Sequence, residues 1–149
     1  CACSDSVIAM AIQLPDGQMV DGSYVSGRET RLMVASAACV LNAIKKLAGI
    51  ADEIKLISTN ILENIQKLKT GILGADTATL NVEEVLTALA ISAETNPTAE
   101  LAMQKLPELK GCKAHCTAIL SDKDENTLKA LGMDVTSDPE YVTNNLYFG

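Results

Sequence analysis

With 149 residues, 48% of them hydrophobic and 21% charged, the chain can bury one good core and is too apolar to be disordered. Aromatic residues make up only 3%, so that core is built from Ala, Leu, Ile and Val. A formal charge of −7, with Lys and Arg scattered along the chain, argues against nucleic acid as a partner.

The weakly polar run at 32–44 is shorter than the ~20 residues a bilayer span requires, and no basic-then-apolar leader opens the sequence, so no membrane contact is expected. The first residue is Cys1 rather than Met, which reads as a stretch of a longer polypeptide. The five cysteines, at 1, 3, 39, 112 and 116, are odd in number and form no paired C-x-x-C ribbon. They fit reduced thiols in a cytoplasm better than a disulfide framework.

Along the chain, VIAMAIQL followed by Pro15-Asp16-Gly17 and QMVDG predicts an antiparallel hairpin with strands near 7–14 and 18–24. Pro presets one dihedral, Asp bonds back to the chain and Gly supplies positive φ. Ser26 and Glu29 have the spacing of a capping box. From there a helix that is apolar or small around most of its circumference runs to Ala48 and stops at Gly49, so it is expected at the centre of the domain. EIKLIS at 53–58 reads as a third strand, and Ile61, Ile65 and Leu68 form the stripe of a helix reaching about residue 73. GADTATLN reads as loop, after which Asn81 and Glu84 box the start of another helix. Pro97 interrupts that helix and opens the next, with Asn96 as its cap. A strand over 114–120, a short helix from Ser121-Asp122 to Leu131-Gly132, and a last strand in MDVTS complete the order β-β-α-β-α-α-α-β-α-β. The expected fold is a single α/β domain over 1–149. It is a three-layer α/β/α sandwich whose mixed sheet of about five strands opens with the antiparallel hairpin.

The only histidine sits in GCKAHC, beside Cys112 and Cys116. Zinc needs several ligands converging on one point. On a strand, however, Cys112 and Cys116 share one face and His115 takes the other, so no metal site is expected. The weak catalytic candidates are His115, Asn96, Thr98 and Cys112. Ser58, Thr59, Asn60 and Ser121 stand where strands give way to helices and are weak ligand-binding candidates, although the same residue types serve any helix as caps. No P-loop, dinucleotide fingerprint, nucleophile elbow or H-E-x-x-H helix is found, so no cofactor is expected in this stretch.

The order hairpin, helix, strand, helix, with LPDGQMVDG as its opening, is similar to the cytidine-deaminase-like fold, but the positions of that family's zinc ligands and glutamate read RLMVASAA and STNILENI. Only its topology is implied. A closer resemblance is carried by AIQLPDG, AGIADEIKLIS, IQKLKT, ISAETNPTAELAMQKLPELKGCKAH and AIL, which resemble the C-terminal part of a bacterial family known as domain of unknown function 1846. Asn96, Pro97, Thr98, Cys112 and His115 match that family's pattern, whereas Cys116 departs from a hydroxyl residue. The closing NNLYFG resembles a protease-tag scar without its glutamine and equally the Leu-Tyr end of related chains.

The resemblance implies a missing N-terminal half with a Gly-rich, phosphate-loop-like stretch, and hence a nucleotide in the full-length protein. The expected role is a non-catalytic accessory or assembly domain, with that half and further copies of the chain as partners. The alternative is a domain that lends His115, Asn96 and Thr98 to an enzyme site shared with the missing half.

Overall fold

A computed structural model of the chain describes residues 10–21, 32–116 and 120–137. The Pro-Asp-Gly turn forms as its residues dictate: Gly17 takes φ 92°, and the Leu14 amide donates to Gln18 O at 2.8 Å. The Asp16 carboxylate accepts from the Gln18 amide at 2.9 Å. This sets strand β1 (Met10–Gln13) antiparallel to β2 (Met19–Asp21). Strand β3 (Lys113–Cys116) pairs antiparallel with the other edge of β1, and β4 (Asp134–Ser137) runs parallel to β3, giving the order β2-β1-β3-β4. The α/β class, the mixed sheet and the opening hairpin are as the sequence predicts. Residues 7–9, 22–24 and 117–119 of the expected strands lie outside the described residues.

The expected long helix is interrupted ahead of Ala35: Leu32 is helical, whereas Met33 and Val34 are not. Helix α1 (Ala35–Ala48) follows an extended Val34 (φ −71°, ψ 159°), because Met33 pairs with Leu80 in an isolated parallel bridge. There the Val34 amide donates to Leu80 O at 2.9 Å and the Leu80 amide to Leu32 O at 3.0 Å. The Ser26–Glu29 box lies outside the described residues. At the other end the expectation holds. Gly49 adopts φ 73°, its amide donates to Lys46 O and that of Ile50 to Lys45 O, a Schellman closure. α1 is buried on several sides, against β1 and β2 in front and two later helices behind.

EIKLIS is not a strand, and the described residues form a sheet of four strands. Strand alternation would bury every second residue. Here the adjacent Leu56 and Ile57 are both buried while Ile54 stays exposed, and side chains rather than a ladder satisfy the backbone. The Lys45 ammonium donates to Asp52 O at 2.6 Å and the Asn96 amide to Leu56 O at 3.5 Å. The likeness to the cytidine-deaminase-like fold rested on a strand at this point and loses its footing.

Burial pushes the Lys45 amine below its ordinary 10.5, and the nearby Asp52 and Glu53 only partly offset this. The unfolded chain therefore holds this proton more tightly than the folded one, and stability should rise with pH between the lowered value and 10.5. We expect the urea midpoint of the wild type to climb relative to Lys45→Met over that interval. Parallel pH profiles of the two would refute the assignment.

The remaining helices are α2 (Thr59–Gln66), which continues into a π-helical stretch (Lys67–Ile72), then α3 (Val82–Ser92), α4 (Pro97–Met103), a 3-10 turn (Leu106–Leu109) and α5 (Asp122–Ala130). α5 is the crossover between the parallel strands β3 and β4. Met10, Ile12, Ala114 and Cys116 turn to the helical side and join one apolar cluster with Val40, Ile44, Leu80, Val85, Leu89 and Leu128. On the other face Gln13, Lys113, His115, Asp134 and Thr136 are exposed, and no helix among the described residues covers them. Among the described residues α3 and α4 pack behind α1, so helices lie two deep on that side of the sheet.

Candidate functional site

The GCKAHC segment is shaped by its two ends. Gly111, at φ 84°, donates to Gly132 O at 2.7 Å, and Cys112 O accepts from the Asp134 amide at 2.9 Å, which sets the register of β3 on β4. Strand alternation then divides the side chains. Cys112 and Cys116 are 5% and 1% exposed on the core side, and His115 projects from the opposite face. The Cys112 thiol donates to Glu108 O at 3.6 Å, and burial raises its pKa, so the nucleophilic thiolate is disfavoured. Among the described residues no three His, Cys, Asp or Glu side chains gather as metal ligands.

His115 is held by its register partner Thr136, with Nδ1 and Oγ1 2.8 Å apart. The Thr136 hydroxyl donates to Ala114 O at 3.3 Å. The His115–Thr136 bond can run in either direction, according to which ring nitrogen carries the proton. The ring stands at the edge of a shallow hollow of about 340 Å³, flanked by Gln13, Lys113, Asp134 and Thr136. Ala11, opposite His115 in the ladder, leaves the space in front of the ring. This face presents an imidazole beside charges of both signs, since Lys113 and Asp134 are register partners.

The hydroxyl and amide candidates are helix caps. Ser58 Oγ accepts from the Ile61 amide at 3.2 Å, Asn96 Oδ1 from the Thr98 and Ala99 amides at 3.0 and 3.4 Å, and Ser121 Oγ from the Asp124 amide at 3.1 Å. Thr59 accepts from the Lys55 ammonium at 3.1 Å, and Asn60 is exposed in the first turn of α2. Asn96 and Ser58 belong to one neighbourhood, because Asn96 also reaches Leu56 O. His115 is not part of it: α4 packs behind α1, on the side of the sheet away from the imidazole.

Several polar groups escaped the sequence reading. Asp124 is 5% exposed, and its carboxylate accepts from the Val82 amide, 42 residues away, at 2.9 Å. The sequence placed a helix start at Ser121-Asp122, but gave no sign that the Asp124 carboxylate would serve another helix. The Lys69 ammonium joins Thr79 O at 2.7 Å to Glu84 at 3.0 Å, and Glu84 also closes the predicted box with Asn81. Thr136 as partner of His115 depends on a parallel register that local sequence does not reveal.

With the buried thiols, the caps and the open sheet face placed, comparison with known proteins adds the family. Residues 2–147 match the family described as "Domain of unknown function DUF1846, C-terminal". The chain belongs to that family. Proteins named "UPF0371 protein" from the Langeland, Okra and Alaska E43 strains of Clostridium botulinum are each 53% identical to it over 131 residues. That alignment covers 88% of this chain and 26% of each relative, so this DUF1846 C-terminal domain spans about a quarter of the length of the curated relatives it matches.

Proposed function

We propose that this DUF1846 C-terminal domain is a non-catalytic assembly module of a longer cytoplasmic, nucleotide-binding protein, and that it docks on the N-terminal part through Leu68, Ile72 and Leu73. The observation that carries the reading is the exposure of these side chains, 47%, 77% and 70%, along one π-helical stretch. A π-helix is rare and frequently occurs at functional positions. Here Lys69 is tied inward to Thr79 O and Glu84 while Leu68 and Ile72 remain at the surface. Apolar residues grouped at the surface mark contact sites. Relatives about four times the aligned length supply the occupant. Cytoplasmic residence draws support from the reduced thiols of Cys112 and Cys116. No helix among the described residues is long and apolar enough to cross a membrane. The nucleotide rests on the family resemblance alone.

Burying an Ile or Leu side chain is worth about 1.5–3 kcal/mol, or roughly a factor of ten or more in equilibrium constant for each. In the full-length protein, Ile72→Asp with Leu73→Asp should therefore speed proteolysis between the domain and the preceding part at least about tenfold. Met19→Asp, at an equally exposed position on the sheet, should leave the rate unchanged. Equal cleavage of all three proteins rejects the docking surface. A halved mass by light scattering assigns the patch to a second copy instead.

The alternative, a shared enzyme site, draws support from the fixed imidazole of His115. Asn96 and Thr98 lie away from it. Loss of turnover in full-length His115→Ala with assembly intact would favour that reading.

A further inference from the structure

We propose that the start of α1 is a seat for one phosphoryl group or similar tetrahedral oxyanion, held by the amides of Ala35, Ser36 and Ala37 and by the Ser36 hydroxyl. This inference is independent of the docking surface on the π-helix.

The place is set by topology. β2 and β3 run in the same direction, and the chain leaves β3 at the end where α5 begins. The start of α1 is tied to the start of α3 through the bridge between Met33 and Leu80, and the first amide of α3, that of Val82, is tied to Asp124 of α5. Three helix N-termini therefore gather beyond the carboxyl ends of the strands, the position at which α/β proteins hold anionic ligands.

Two of the three are closed by side chains. Asn81 and Glu84 cap α3, with Asp124 on its first amide, and Ser121 caps α5. α1 has no such closure. Val34 stands at its cap position with no side-chain oxygen to offer, and the first helical bond runs from Ala38 to Val34 O at 3.1 Å. Among the described residues nothing accepts from the amides of Ala35, Ser36 and Ala37. The first amides of a helix have no partner within it and are met by a cap, by water or by a ligand.

The second observation is Ser36 itself. It is 1% exposed, and its hydroxyl is buried without a hydrogen-bond partner. A helical serine usually relieves itself on the carbonyl four residues back, but Met33 and Val34 are not helical, so Leu32 O does not lie one turn back in the same helix. Helical side chains lean toward the N-terminus, so a hydroxyl at the second position stands over the orphan amides. The other buried hydroxyl in this condition, that of Ser92, lies at the far end of α3.

Four donors beside a positive helix end, with no acceptor supplied, complement an anion carrying several oxygens. Two acidic groups at the neighbouring helix starts are already engaged, Asp124 on the Val82 amide and Glu84 with Lys69. The remaining negative charge of Asp124 favours a single phosphoryl group over a chain of them.

The test uses hydrogen exchange of residues 32–40 in the full-length protein, with inorganic phosphate or phenyl phosphate as probe and chloride at matched ionic strength as control. Phosphate should slow exchange in this segment, and Ser36→Ala should weaken the apparent affinity about tenfold, as expected for one hydrogen bond to a charged group. Val34→Asp supplies an internal carboxylate to the same amides and should abolish the response; Val34→Ser serves if that variant does not fold. Equal protection by both probes identifies the phosphoryl group of a larger molecule, and protection by inorganic phosphate alone identifies the free ion. Protection no greater than with chloride, or an unchanged response in Ser36→Ala and the Val34 variants, overturns the proposal.

Discussion

Replacing Asp124 by alanine is expected to destabilise the domain by about 3 kcal/mol, a fall in melting temperature of roughly 6–12 °C for a chain of this size. Asp124 stands at the third position of α5, is 5% exposed, and accepts the first amide of α3 at 2.9 Å. Removing the carboxylate leaves the Val82 amide buried without an acceptor, which alone costs about 1–3 kcal/mol. It also removes a negative charge from the positive ends of two helices, worth about 0.3–1 kcal/mol at each. Asp124→Asn separates the two contributions, because it keeps an acceptor oxygen and loses the charge. It should recover at least about half of the loss. Thermal and urea unfolding of both variants measure this. A loss below about 0.5 kcal/mol for Asp124→Ala, the size of an ordinary surface change, would mean that the hydrogen bond joining α3 and α5 is dispensable.

What the sequence revealed and what it hid divide along the distance over which residues act. The turn at Pro15-Asp16-Gly17, the Asn81–Glu84 box, Asn96 ahead of Pro97, and Gly49 at the end of α1 all work within five residues, and each forms as its chemistry requires. EIKLIS failed for the opposite reason. Its composition suits a strand, but strand formation needs a neighbour with free edge groups, and the edges of this sheet are β2 and β4. What holds 53–58 instead is Lys45 from α1 and Asn96 from the cap of α4, neither close in sequence.

The candidate site shows the same division. The opposed directions of His115 and the two thiols follow from a period of two, which a strand imposes wherever it lies. That Thr136 would fix the imidazole, or that Asn96 would lie beyond the sheet from it, depends on register and layer order. A serine in an apolar helix gives no local sign that its hydroxyl lacks a partner, so Ser36 looked like one more small residue of α1. The same holds for Leu68, Ile72 and Leu73. The stripe Ile61, Ile65, Leu68 read as one apolar face of a regular helix, but the shift to π geometry after Gln66 breaks that face and leaves Leu68 half out.

Leu80 offers the sharpest test of this division, because it belongs to a stretch that reads as loop. Leu80→Ala is expected to cost about 3–5 kcal/mol, as much as truncating a core leucine inside a helix such as Leu89. The side chain is 0% exposed, and the backbone bonds on both sides of it fix the extended segment from which α1 starts. A cavity there forfeits the contacts of Leu80 and loosens the bridge to Met33, so little relaxation can refill it. Ile91→Ala, a truncation of similar size at a position 63% exposed inside a helix, should change stability by no more than about 0.5 kcal/mol. The two midpoints, measured by urea unfolding with a shared m-value, rank burial against local helical character as the source of stability. If Ile91→Ala proved the more damaging, the parallel bridge would be an ornament of the fold, and the convergence of helix starts built on it would lose its anchor.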